Sequence, residues 1–169
     1  MSHGKTKGWL SDRSGVSLVE LIVTMTILAI LASVIMPMMQ MTAVRTREIE
    51  LHRNLRIIRT AIDDFQKSYK KAELEGKIPK SLDKSGCPET LQQLVDGYDF
   101  GGLYPTKKKF LRRIPPDPMN PPQPGKEPEW GMRSYADKPD STTWGGEDVY
   151  DVYSKSEGTA IDGTKYNEW

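Results

Sequence analysis

Few residues in this chain stand in patterns that support chemistry. The side chains most used as nucleophiles or metal ligands are sparse: one cysteine, Cys87, and two histidines, His3 and His52. A single cysteine cannot close an intrachain disulfide. There is no nucleophile–base pair, no His-based metal cluster and no phosphate-cradling glycine loop, so the residue pattern argues against an enzyme. Cys87 reads either as a reactive thiol in an oxidising compartment or as a half-buried small residue ahead of a helix. The position that stands out is Glu20, in SGVSLVELIVTMTILAI. No other charged side chain occurs between Val16 and Ala43. A carboxylate in a membrane-length apolar helix costs on the order of 3 kcal/mol, so such a residue normally has a partner or a task. A carboxylate snorkelling near the helix start is the simpler reading.

The element that carries Glu20 is an apolar run. Residues 1–15 are polar, with Lys5, Lys7 and Arg13 against Asp12. Residues 21–39 then hold 19 positions without a charge. As a helix that run is ~28 Å long, close to the hydrocarbon thickness of a bilayer. A secretory signal would have a shorter apolar core, about 7–15 residues, with a small-residue cleavage site behind it. Here the polar-to-apolar junction, Gly15-Val16, lies ahead of the run. A plain signal anchor also fits the length, and basic residues on both sides (Arg45, Arg47 and Arg53 follow the run) leave orientation undecided by charge alone. Pro37 removes an i→i−4 hydrogen bond and is expected to kink or loosen the helix.

Beyond the proline the pattern changes. Val44, Glu48, Leu51, Leu55, Ile58, Ile62, Phe65 and Tyr69 recur at alternating four- and three-residue steps. That spacing predicts an amphipathic helix with one narrow apolar face, read here as core for a C-terminal domain. One helix of about 55 residues is expected, stopping near Glu75-Gly76 ahead of Ile78-Pro79. Its Arg-rich outer face (Arg45, Arg47, Arg53, Arg56, Arg59) is either solvated or paired with neighbouring subunits. The first half, apolar all round, has to be buried in lipid or against copies of itself.

Most of the twelve prolines fall between residues 76 and 129. A short helix is predicted over residues 88–95 (PETLQQLV), with Pro88 in its first turn and Leu91, Leu94 and Val95 inward. Lys107-Lys108-Lys109 reads as a solvated loop or, alternatively, as a phosphate or headgroup contact. WGMRSYAD and VYDVYS read as two antiparallel strands joined by a turn-rich loop. The fold class is therefore α+β.

At the Gly15–Val16 junction the sequence resembles the class III leader of type IV pilins and type II secretion pseudopilins. Ile114-Pro115-Pro116-Asp117-Pro118, Tyr150-Asp151-Val152-Tyr153-Ser154 and the tail DGTKYNEW resemble the blocks around the strands and the ending of G-type major pseudopilins. The resemblance covers the N-terminal third and the last 60 or so residues, not the middle. It implies a pilin-like fold, with residues 1–15 a cleaved leader and 16–43 a transmembrane and fibre-core helix. Residues 44–75 become its amphipathic continuation and 76–169 a loop-rich domain. A prepilin peptidase would cut between Gly15 and Val16 and methylate Val16, where the family more often has Phe. Pro37 matches the family's helix-loosening proline. Glu20, about one turn into the helix, would pair with the new α-amine of its own or a neighbouring chain, an assembly register device. The family also implies a Ca²⁺ site in the C-terminal loop. Asp151, Glu157 and Asp162 are the candidate ligands, with Asp148 and Glu168 nearby, although Lys155 and Lys165 intrude. The same loop reads equally as a tight Asp162-Gly163 turn closed by Tyr166 and Trp169.

With 24 basic and 23 acidic residues the formal charge is +1, against nucleic acid as an obligatory partner. The expected partners are copies of the chain, prepilin peptidase, an inner-membrane assembly platform and minor pseudopilins. The resemblance implies a bacterial inner-membrane precursor, single-pass with its C-terminal domain in the periplasm. It would polymerise into a pseudopilus that drives protein export by type II secretion. A type IV or competence-type pilin is the alternative, and a membrane-anchored binding module or enzyme ranks behind both. The lone cysteine disfavours a true pilin, which more often ends in a disulfide-bounded loop.

Overall fold

The computed structural model describes residues 15–80 and 85–169, with the side chains of residues 34–40 outside the described set. The structure is α+β. Its elements are α1 (Leu18–Leu74), α2 (Leu91–Asp96), β1 (Gly131–Arg133), β2 (Asp151–Tyr153) and a terminal 3-10 turn, Tyr166–Glu168. The chain divides into two units, Met1–Thr42 and Ala43–Trp169.

Within the first unit, α1 opens at Ser17, whose carbonyl accepts the amide of Leu21 at 3.0 Å. From Val16 to Leu31 its large apolar side chains are exposed, Leu18 at 72% and Ile30 at 60%. Its hydroxyls turn inward to the helix backbone: Thr24 to the carbonyl of Leu21, Thr26 to Ile22 and Ser33 to Ile30, at 2.7–2.9 Å. Such back-bonding leaves the surface without open hydroxyl donors, as an apolar surrounding demands. No helix among the described residues is long and apolar enough to cross a membrane. The predicted span over 21–39 extends into positions 34–40, whose side chains are not described. Helical assignment is unbroken through position 37; the loosening expected at Pro37 lies outside the described side chains.

In the second unit the four-three spacing has the outcome its period predicts. Leu51, Leu55, Ile58, Ile62, Phe65 and Tyr69 are all buried, Leu51 and Ile58 completely. Each contributes roughly 1.5–3 kcal/mol by leaving water. The stripe is the spine of one core that also takes in Leu94, Phe100, Trp130, Val149 and Val152. Phe65 meets Tyr98, Phe100 and Phe110 at ring-centroid distances of 5.3–5.4 Å, an aromatic knot that no local period announces. Val44, at the start of the stripe, is 37% exposed. The helix ends where glycine permits it: Lys77 N–H bonds the Ala72 carbonyl and Gly76 N–H that of Glu73, with Gly76 at φ 68°. This is a Schellman stop.

The short helix begins later than predicted. Thr90 caps it, its hydroxyl accepting from Gln93 N–H at 3.4 Å, so α2 starts at Leu91 and Pro88 lies ahead of the cap. Leu91 and Leu94 are buried, whereas Val95 is half-buried. A capping threonine outweighs a first-turn proline because it supplies the acceptor that the open N–H groups require. The two strands pair antiparallel as expected, with Gly131 opposite Tyr153 and Met132 opposite Val152. Gly131 cannot carry a side chain, since a Cβ there would fall 2.3 Å from the Tyr153 ring.

The sheet has two strands of three residues, so side chains and turns hold most of the domain together. The Ile114–Pro118 block shows how. Pro115 carbonyl accepts the Trp130 indole N–H and Pro116 carbonyl the Asn54 amide, both at 2.9 Å. Fully buried Asp117 accepts from the Ser154 hydroxyl at 2.6 Å and from Met119 N–H at 2.8 Å. One proline-rich turn thus ties α1 to both strand segments.

Candidate functional site

The N-terminal candidate is built from Gly15, Val16 and Glu20. Residues 15–17 precede the helix, and Val16 is 71% exposed. A Cβ added at Gly15 meets nothing within 4 Å, and Gly15 is not among the glycines with positive φ. Nothing around it in the described fold therefore requires glycine there. A requirement for glycine would come from outside the fold, from an enzyme that must seat the backbone closely. Glu20 lies in the first turn of α1, where the helix dipole favours an anion. Ser17-Leu18-Val19-Glu20 also has the spacing of a capping box, a signal the reading of the sequence passed over. Neither reciprocal side-chain bond of such a box is formed. Glu20 is exposed, and among the described residues it has no hydrogen-bond or ion-pair partner. Residues 1–14, the rest of the predicted leader, lie outside the described residues.

The C-terminal candidates are not gathered into a metal site. Asp151 accepts Arg59 Nε at 2.7 Å and lies 3.3 Å from Arg133 Nη1, so two guanidinium groups already occupy its carboxylate. Asp162 accepts both the hydroxyl and the amide of Thr164, and these bonds hold its carboxyl below the usual range. Glu157 and Glu168 are exposed. Asp148 is buried, accepting Tyr135 N–H at 2.9 Å and the Ser85 hydroxyl. Among the described residues no three His, Cys, Asp or Glu side chains are grouped to hold a metal ion. The residues present do not fit calcium: Asp148, Asp151 and Asp162 are committed to hydroxyls, backbone amides and arginines, and exposed Glu157 and Glu168 are not grouped with them. The tight-turn reading fits better: Gly163 N–H bonds the Ala160 carbonyl, and the Tyr166 and Trp169 rings meet edge-on at 5.2 Å.

Several assignments made from sequence change at this point. Arg59 does not belong to an outer solvated face but reaches the C-terminal segment, whereas Arg45, Arg47, Arg53 and Arg56 are exposed. Lys108 is not simply solvated. Its ammonium bonds Ser68 Oγ at 2.9 Å and lies 4.6 Å from the centre of the Tyr104 ring, while Lys107 and Lys109 are exposed. Cys87 is half-buried, and burial, ahead of every other influence, pushes its thiol up, away from the reactive thiolate. Glu48, the odd letter in the apolar stripe, accepts Ile161 N–H at 2.8 Å and the Tyr166 hydroxyl at 3.0 Å. Its place among core positions was the signal that it had a partner.

Residues 10–36 match the family model described as the prokaryotic N-terminal methylation motif. The match includes Gly15, Val16 and Glu20 and stops one residue short of Pro37. It supports the type IV pilin-like and pseudopilin class of precursors, and with it processing by a prepilin peptidase and pilus-type assembly. No curated protein and no solved structure matches the chain.

Proposed function

We propose that this chain is a non-enzymatic structural subunit, cut between Gly15 and Val16, that polymerises into a periplasmic pseudopilus of a type II secretion system. The observation that carries the reading is the junction itself. An exposed glycine that its surroundings do not require stands before the apolar run of residues 16–43, whose one carboxylate is unpartnered among the described residues. Cutting there creates an α-amine, with an intrinsic pKa near 8, about one helical turn from Glu20. In an apolar fibre core a lone ammonium or a lone carboxylate is costly, and the two together satisfy each other. Before assembly the same helix would rest in the inner membrane as a single span, with the C-terminal domain in the periplasm. An assembly platform and minor pseudopilins complete the expected partners. The proline-rich Asp117 turn and the Asp151–Tyr153 strand, which resemble G-type major pseudopilin blocks, favour a pseudopilus over a surface pilus.

Intact mass and N-terminal sequencing of the membrane-extracted protein test the proposal. A start at Val16, with or without one methyl group, is expected. A start at Met1 or Ser2 with function retained would sink it. Fibres that project from the cell surface would point to the pilin alternative.

A further inference from the structure

The segment from Ala160 to Trp169 is held by polar side chains on one line of α1. Glu48, His52 and Arg59 lie within about 40° of one another on a helical wheel. Glu48 takes the Ile161 amide and the Tyr166 hydroxyl. His52 stacks on Trp169 with ring centroids 4.0 Å apart and planes 9° from parallel. Arg59 Nη2 donates to the main-chain oxygens of Val152 at 3.0 Å and Trp169 at 2.8 Å, while its Nε holds Asp151. From the sheet side, Arg133 is buried under the Tyr153 ring at 4.1 Å. It donates to the Ser141 carbonyl at 2.8 Å and reaches Asp151 and the Asn167 carbonyl at 3.3 and 3.5 Å.

One carboxylate surrounded by main-chain oxygens is the kind of oxygen set that a hard cation binds. Here two planar guanidinium groups fill it, each bridging several oxygens with its fixed fork of N–H donors. Two positive charges facing one carboxylate also repel a further divalent cation. We propose that Arg59 and Arg133, with Glu48 and His52, form a metal-free clasp for the C-terminal segment. The guanidinium groups do the cross-linking that calcium performs in the proteins this chain resembles, and the folded domain is indifferent to calcium.

Limited proteolysis of the full chain in detergent, with cuts mapped by mass, tests this alongside thermal melting. The wild-type protein should melt at the same temperature, and be cut within residues 155–169 at the same rate, in a calcium chelator and in about 10 mM Ca²⁺. That concentration exceeds the ~1 mM dissociation constants of weak calcium modules. Arg59 is 40% exposed, so Arg59→Gln should still fold. It should be cut in that segment about tenfold faster, the loss expected for roughly one charged hydrogen-bond contribution. Protection or a raised melting temperature on adding calcium to wild type would overturn the proposal. So would wild-type cutting rates in Arg59→Gln.

Discussion

Glu20 and Glu48 stand on one helix, each the single acidic interruption of an apolar pattern, and their surroundings differ. Glu48 accepts two hydrogen bonds from the C-terminal segment, more than 110 residues away in sequence. Glu20 is exposed and, among the described residues, has no partner, and the apolar side chains near it are exposed as well. The contrast runs through the two parts of α1. From Leu51 to Tyr69 the apolar face is closed by its own domain, whereas from Val16 to Leu31 the large apolar side chains are exposed among the described residues. An isolated carboxylate in an apolar pattern thus marks a partner in both places, inside the chain for one and, on our proposal, at a cut N-terminus for the other.

The largest effect that tests this contrast is assembly against stability. Glu20→Ala should be processed normally and keep the melting temperature of the domain, yet fail to form cross-linkable multimers. Glu48→Ala should assemble but lose about 1–3 kcal/mol of domain stability, because the Tyr166 hydroxyl is left without its acceptor. Normal multimers from Glu20→Ala would break the comparison. Next comes the apolar face itself. Leu51→Ala should cost ~2–5 kcal/mol in a denaturant melt, whereas Ile22→Ala, at a position 55% exposed, should stay within about 0.5 kcal/mol. Equal costs would mean that the first unit is packed within the monomer.

The smallest effect is acid sensitivity, confined to the second unit. The amides of Ser134 and Gly145 hold the Asp137 carboxyl below its ordinary range, and the hydroxyl and amide of Thr164 do the same for Asp162. A carboxyl depressed in the folded state stabilises it above the unfolded value near 3.9, and that contribution fades as pH falls through the folded value. Amide exchange at Ser134, Gly145 and Thr164 should therefore speed up between about pH 4 and about pH 2 relative to the intrinsic rate. Asp162 is exposed and Asp137 no more than half-buried, so the global melting temperature should move only slightly. Unchanged protection at those three amides would show that the turns do not need the charge.

The aspartates also show how a residue type can mislead. Asp99, Asp117, Asp137 and Asp162 each accept a backbone N–H two or three residues away, closing turns in a domain with little regular sheet, and Asp148 accepts that of Tyr135. Turn caps and calcium ligands draw on the same residue, and a list of carboxylates does not separate them. Only the neighbour on the other side of the oxygen does. For Asp151 that neighbour is Arg59, 92 residues away in sequence.

What the order of residues determined alone is what acts within a turn or two of chain. It includes the long helix, its apolar period, the glycine stop, the two short strands and the Gly15–Glu20 junction, because hydrogen-bond geometry and side-chain period are local. The tertiary structure decided which charges were already engaged. Glu48 reaching the C-terminal turn, Arg59 and Arg133 converging on Asp151, and Lys108 tucked against Ser68 all join positions 18 to 118 residues apart. No period or motif encodes such pairings. They follow from where the packed core brings the chain back on itself, and that made the C-terminal loop an arginine clasp.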